Sequence, residues 1–329
     1  MMALARRLLP QLATFATVLL LIAVVFPGFF DVSFANGRLY GSPIDILNRG
    51  APVALLAIGM TLVIATGGID LSVGAVMAIC GAVAAWAVDQ GHGLPSALAL
   101  SLSAGLACGL WNGMLVALLK IQPIVATLIL MVAGRGIAQL ITEGTILTFN
   151  HPGLIFLGSG TVLGLPTPVL IWLAMGLLVT AIVRRSALGL LIEAVGINQR
   201  ASRLAGVNAK VLIVTVYMTS GLCAAIAGMI VAADIRGADA NNAGLWLELD
   251  AILAVVIGGT SLLGGRFSLV ASLIGAMIIQ SINTGILLSG FPPEFNLVIK
   301  AAIILAILVV QSPAARVALI YLKPWRRDG

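Results

Sequence analysis

Charge is what this chain lacks most. Only 9% of its 329 residues are Asp, Glu, Lys or Arg, against roughly a quarter in an ordinary soluble domain. With 60% of the residues hydrophobic, a water-exposed globule would have nowhere to hide its apolar surface, so a soluble fold is excluded. Histidine is scarce: His92 and His151 sit beside Gly or Pro in polar stretches, where a turn residue is expected and a ligand is not. The cysteines Cys80, Cys108 and Cys223 all fall inside apolar segments without metal-ligand spacing, which makes them small packing residues. Catalytic signatures are missing too. There is no Gly-x-x-x-x-Gly-Lys-Ser/Thr to cradle phosphates, no His-Glu-x-x-His and no Gly-x-Ser-x-Gly elbow. No catalytic residue, metal or cofactor is expected. Nor does the net charge of +6 point to nucleic acid, because the basic residues lie between apolar segments and have no soluble face or motif behind them.

What fills the chain instead is apolar runs of roughly 16 to 23 residues, close to the ~20 that a helix needs to cross ~30 Å of hydrocarbon. Runs such as Ala301 to Val310 do not alternate, which excludes barrel strands. In lipid every backbone polar group must be bonded internally, and a helix does this within one segment. The pattern predicts an all-α, polytopic membrane bundle of about ten transmembrane helices, one domain over residues 1–329. The helices fall near residues 11–30, 51–66, 70–88, 95–117, 123–142, 166–183, 211–233, 249–264, 268–288 and 297–314. The first run, Leu12 to Phe26 behind Arg6 and Arg7, looks superficially like a signal peptide but is long for one, and is expected to stay as a span.

With the first residue inside, this topology places Arg6, Arg7, Lys120, Arg184, Arg185, Arg200, Arg203, Lys210, Arg266, Arg316, Lys323, Arg326 and Arg327 in the cytoplasm, leaving Arg38, Arg49 and Arg236 outside. That asymmetry obeys the positive-inside rule, and both termini are then cytoplasmic. The expected outer loops are 31–50, 143–165 and 234–248, rich in the Gly, Asn and Asp of turns. The inner loop 184–210 has Leu191, Ala194, Val195, Ala201, Leu204 and Ala205 at helical spacing. A short amphipathic helix there has to dock on something.

Two stretches interrupt apolar runs in the two halves of the chain, Gly67-Gly68-Ile69-Asp70-Leu71-Ser72-Val73-Gly74 and Ile257-Gly258-Gly259-Thr260 through Gly265. They suggest a weak two-half repeat. Gly-broken helices in matching halves point to a translocation pathway, although glycine also serves close helix packing. Ionisable residues at membrane depth are few: Asp70, which can also cap the next helix, Arg135, placed to snorkel to the outer interface, and Asp250 and Lys300 near helix ends. Neutral polar residues such as Thr66, Asn112, Gln280, Asn283 and Thr284 are commoner. They suit an uncharged polyol or bonds between helices.

These stretches carry a resemblance. Thr66-Gly67-Gly68-Ile69-Asp70-Leu71-Ser72-Val73-Gly74, Trp111-Asn112-Gly113, Glu193-Ala194-Val195-Gly196-Ile197-Asn198 with Ala201 and Ala205-Gly206-Val207, and Gly258-Gly259 with Gly264-Gly265-Arg266 resemble the permease family of bacterial ABC importers for monosaccharides, over nearly the whole chain. The stretches Gly41 to Arg49, Ala232 to Trp246 and Ser289 to Glu294 are similar to the galactofuranose branch. The resemblance implies a transport subunit of the bacterial inner membrane. It implies an ATP-binding cassette subunit docked on a coupling segment containing Glu193, Gly196, Asn198, Ala201 and Gly206. Further partners would be a periplasmic sugar-binding protein and a second permease, copy or paralogue. Thr66, Gly67, Gly68, Asp70, Ser72, Asn112, Gly258, Gly259 and Asn283 are the candidate pathway residues for a neutral monosaccharide. The competing expectation is a gradient-driven sugar transporter or channel, for which Asp70 would be the proton site.

Overall fold

The computed structural model describes residues 2–35, 37–290, 292 and 294–311. The helices are α1 (Met2–Val25), α2 (Ser42–Arg49), α3 (Ala51–Ala65), α4 (Val73–Asp89), α5 (Leu94–Ala117), α6 (Pro123–Ile141), α7 (Pro152–Ser159), α8 (Thr167–Arg185), α9 (Leu188–Ile197), α10 (Gln199–Leu204), α11 (Ala209–Ile235), α12 (Leu247–Ile257), α13 (Leu269–Leu288) and α14 (Glu294–Gln311). Six short strands, β1 (Ser33–Ala35), β2 (Arg38–Tyr40), β3 (Ile146–Thr148), β4 (Thr161–Val162), β5 (Leu165–Pro166) and β6 (Gly237–Asp239), pair antiparallel as β1 with β2, β3 with β6 and β4 with β5. All of them lie in the connections expected outside, which are thus not plain loops: residues 31–50 also hold α2, and residues 143–165 hold α7.

Helix α3 is apolar on every side and buried along nearly its whole length, the mark of a central helix. Helices α11, α12, α13 and α8 pack against it, and α11 in turn packs on α4 and α5, with glycines at the α3–α11 and α5–α11 contacts. A Cβ on Gly59 would come within 2.7 Å of the Ser220 backbone, and one on Gly113 within 2.8 Å of Val214. Without a hydrophobic drive in lipid, such close backbone approach is what helix association runs on. Pro52 has no N–H to continue the ladder, and α2 meets α3 at a 45° bend.

Among the described residues, six helices are long and apolar enough to cross a membrane, seven if the bent pair α2–α3 counts as one. The expectation of about ten is therefore not confirmed. The difference has a local cause. Residues 70–88 give a 17-residue helix that starts only at Val73, and residues 249–264 give the 11-residue α12, followed by a coil. The tenth run extends past the described residues, as do Arg316, Lys323, Arg326 and Arg327. Phe291 and Pro293 are also outside them.

Both glycine pairs end helices in one way. Gly67 takes φ +81° and donates its N–H to Ile64 O, while the Gly68 N–H reaches Val63 O. Gly259 (φ +85°) and Thr260 repeat these bonds to Val256 O and Val255 O. This left-handed cap favours glycine because no Cβ has to be accommodated. The pairs stop α3 and α12 at the end of the bundle that carries α9 and α10. Beyond this local likeness a two-half repeat is not confirmed.

Candidate docking and transport sites

The segment expected as one amphipathic helix is two. Asn198 divides α9 from α10, and its Oδ1 accepts the N–H groups of Arg200 (3.0 Å) and Ala201 (2.9 Å), capping α10. Ile192, Val195 and Ser202 turn inward, while Leu190, Ile197 and Leu204 are 71–89% exposed. Ala201 and Gly206 are exposed as well, and Glu193 is half-buried. Gly196 faces its own bundle: a Cβ there would overlap Ala65 O and lie 2.7 Å from Gly265 N. The Gly265 N–H donates to the same Ala65 O at 2.9 Å, and Gly264 packs on Gly196 O and Gly67. Three stretches far apart in sequence thus converge where α9 sits on the end of the central helix.

After Gly68 the chain turns back into the bundle. Buried Asp70 accepts the Ser72 N–H (3.1 Å) and hydroxyl (2.6 Å) on Oδ1 and the Ser220 hydroxyl (2.9 Å) on Oδ2. The Asn112 amide donates to Ser72 Oγ at 2.8 Å. One carboxylate therefore ties the start of α4 to α11, and through Ser72 to α5. It does not cap α4 by a side-chain bond within the helix. Thr66 is spent locally, its hydroxyl donating to Val63 O.

A second re-entry occurs at residues 240–246, before α12. Gly74 and Gly244 meet so closely that a Cβ on either would overlap the backbone of the other. The first turns of α4 and α12 thus abut, with Asp70 by one and Glu248 and Asp250 in the other. Acids are favoured there because the unpaired N–H groups of a helix start carry partial positive charge. Gly228 on α11 packs on Met77, one turn along α4 from Gly74, which puts the junction about halfway along α11. Arg135 does not snorkel outward. Its Nη1 donates to Ala240 O (2.9 Å) and Ala243 O (2.6 Å), pinning the re-entrant loop. Above it the Asn242 amide and the N–H groups of Asn241 and Asn242 bond the Asp239 carboxylate and hold it below the usual carboxylate range.

On the other flank of α12, Lys300 Nζ lies 3.0 Å from both Asp250 oxygens, and Asn283 shares a cavity wall with this pair. The nine candidate pathway residues therefore separate. Asp70, Ser72 and Asn112 form one buried network. Thr66, Gly67, Gly68, Gly258 and Gly259 lie at helix ends, Gly258 against Ser272 and Gly259 beside Gln11. Asn283 stands apart by α12. The partners of Ser220, Arg135 and Gly244 escaped the sequence reading because they lie about a hundred or more residues away. The one available signal was an arginine between two glycines in an apolar run.

Residues 42–308 match the family described as branched-chain amino acid transport system / permease component. The galactofuranose transporter permease protein YtfT of Escherichia coli K12 is 66% identical, covering 92% of this chain and 89% of that protein. The fructose import permease protein FruF of Bifidobacterium longum is 41% identical (94% and 90% covered), and the ribose import permease protein RbsC of E. coli K12 39% (90% and 91%).

Proposed function

This chain belongs to the family of permease components of branched-chain amino acid transport systems, and from its likeness to sugar import permeases we infer that it is the membrane subunit of an ABC importer carrying a neutral monosaccharide, galactofuranose, into the cytoplasm. ATP hydrolysis is the work of a partner subunit. The observation that carries this reading is the α9–α10 pair. It is anchored inward on Ala65 and Gly265, and it presents Leu190, Ile197 and Leu204 to the outside. Lone apolar side chains at a surface are ordinary, but a row of them on two short helices suits a partner. A push on α9 passes without slack to the end of α3, on which α11, α12, α13 and α8 pack, and so rocks the bundle between outward and inward states.

On this reading the α9 end faces the cytoplasm, the chain crosses the bacterial inner membrane ten times, and both termini are cytoplasmic. The strand-bearing end meets the periplasmic sugar-binding protein, and a second permease, copy or paralogue, completes the pathway. Glu193, Asn198, Ala201 and Gly206 lie at the ATPase contact with the three apolar residues, and Gly196 backs it. The abutting starts of α4 and α12, with Gly67, Gly68, Asp70, Ser72 and Asn112 beneath, form the pivot of the pathway. Asp70 has donors on both oxygens, which weighs against a proton relay and thus against a gradient-driven transporter.

Leu204→Glu and Ile197→Glu test the docking. Both side chains are exposed, so folding should change by no more than about 0.5 kcal/mol, while co-purification of the ATP-binding subunit and sugar uptake should both be lost. Full uptake with either variant would overturn the docking.

A further inference from the structure

We propose that the polar cavity between α2, α12, α13 and α14 is a binding station for the hydroxyls of the incoming sugar. It has a volume of about 410 Å³ and is lined among others by Arg49, Asp250, Gln280, Asn283, Thr284 and Lys300. A second cavity of about 280 Å³ adjoins it, and Arg49, Leu247, Gln280 and Asn283 line both. Asn283 Oδ1, and Asn48 Oδ1 in the second cavity, are shielded from solvent and have no hydrogen-bond partner. An orphaned buried acceptor costs about 1–3 kcal/mol unless something bonds it, and both belong to residues lining these cavities.

The chemistry of the walls selects the guest. Donors come from Arg49 and Lys300, acceptors from Asp250 and the free amide oxygens, and Thr284 offers both. The Asp250–Lys300 pair is internally neutralised at 3.0 Å and the same wall carries one further charge of each sign, Asp45 and Arg49, so an ionic guest finds no net charge to match. A neutral polyol, which needs many donors and acceptors and no net charge, fits. The cavities sit on α2 and at the first turn of α12, away from the α9 end, which is where a sugar released outside would first enter. This inference rests on the importer reading for its choice of ligand.

The test uses the full chain in lipid nanodiscs with methyl galactofuranoside as probe. Thiol labelling of T284C should slow as the glycoside is added, with wild type as the blank for the native cysteines. Added to T284C, N283A should raise the glycoside concentration needed by about tenfold, the loss of one hydrogen bond, each variant being compared with its own rate without glycoside. Independently of any variant, hydrogen exchange in residues 280–290 of wild type should slow with the glycoside and not with an equal concentration of tetraethylene glycol. Absence of both effects, while cells expressing the wild-type importer take up the sugar, overturns the station and leaves the importer reading standing. Equal protection by tetraethylene glycol overturns it too. Failure of wild-type cells to take up the sugar overturns the importer reading, and with it this choice of ligand.

Discussion

Gly196→Ala is the most discriminating perturbation in this fold. A methyl group at this position would overlap Ala65 O and lie 2.7 Å from Gly265 N and 3.0 Å from Ala65 C. All three are backbone atoms, so no side chain can swing aside and α9 itself has to lift off the end of α3. Overpacking of this kind costs about 1–3 kcal/mol. The shift also pulls at the Gly265–Ala65 hydrogen bond, worth about 1 kcal/mol net. The expected loss is therefore about 2–4 kcal/mol, with uptake abolished because α9 no longer presses on α3. Gly206→Ala is the control: it has φ +87° and nothing within 4 Å of the added carbon, so its cost is only that of the left-handed conformation, about 1 kcal/mol. Thermal unfolding of the purified chain, followed by the loss of its monodisperse chromatographic peak, separates the two. A Gly196→Ala chain that melts with wild type but fails to hold the ATP-binding subunit would place Gly196 on the partner face and refute the packing.

Three further outcomes follow from the same geometry. Asp70→Leu strands the hydroxyls of Ser72 and Ser220, each costing about 1–3 kcal/mol, and should barely accumulate in membranes. Asp70→Asn keeps an acceptor and should retain ATP-dependent uptake, which a proton relay at this position would not allow. Lys300→Met leaves Asp250 buried without its cation and should cost about 3–5 kcal/mol, with much of the loss recovered in the Asp250→Asn, Lys300→Met double variant; melting temperatures decide. The Asp239 carboxyl is held low by Asn242 and two backbone N–H groups. The stability this lends the 237–246 turn is present above the ordinary carboxylate value near 4 and is lost as pH falls below it. Hydrogen exchange in that turn should accelerate on acidification, and Asn242→Ala should flatten the dependence.

Much was legible from residues alone. Apolar runs with almost no charge dictate membrane helices because the bilayer leaves backbone groups no other partner, and α1, α5, α6, α8, α11 and α13 arise where those runs are unbroken. The glycine pairs were visible as punctuation, since a left-handed turn is a property of a few neighbouring residues; the cap that Asn198 puts on α10 was not. What such punctuation was for was not visible. Gly67-Gly68 and Gly258-Gly259 read as breaks in a pathway; locally they end α3 and α12, and only the first pair lies by the seat of α9, where Gly264 packs on both Gly67 and Gly196.

The sequence by itself determined the solvent this protein lives in, its helical class and the segments that need a partner, because hydropathy and local backbone preference act over a turn or a span. Only the tertiary structure decided that Asp70 bonds Ser220 across 150 residues, that Arg135 pins a loop more than a hundred residues away, and that Gly74 meets Gly244. Those pairings depend on which helices cross at which glycine. Crossing is a matter of close backbone contact between distant segments, and it leaves no periodic trace along the chain.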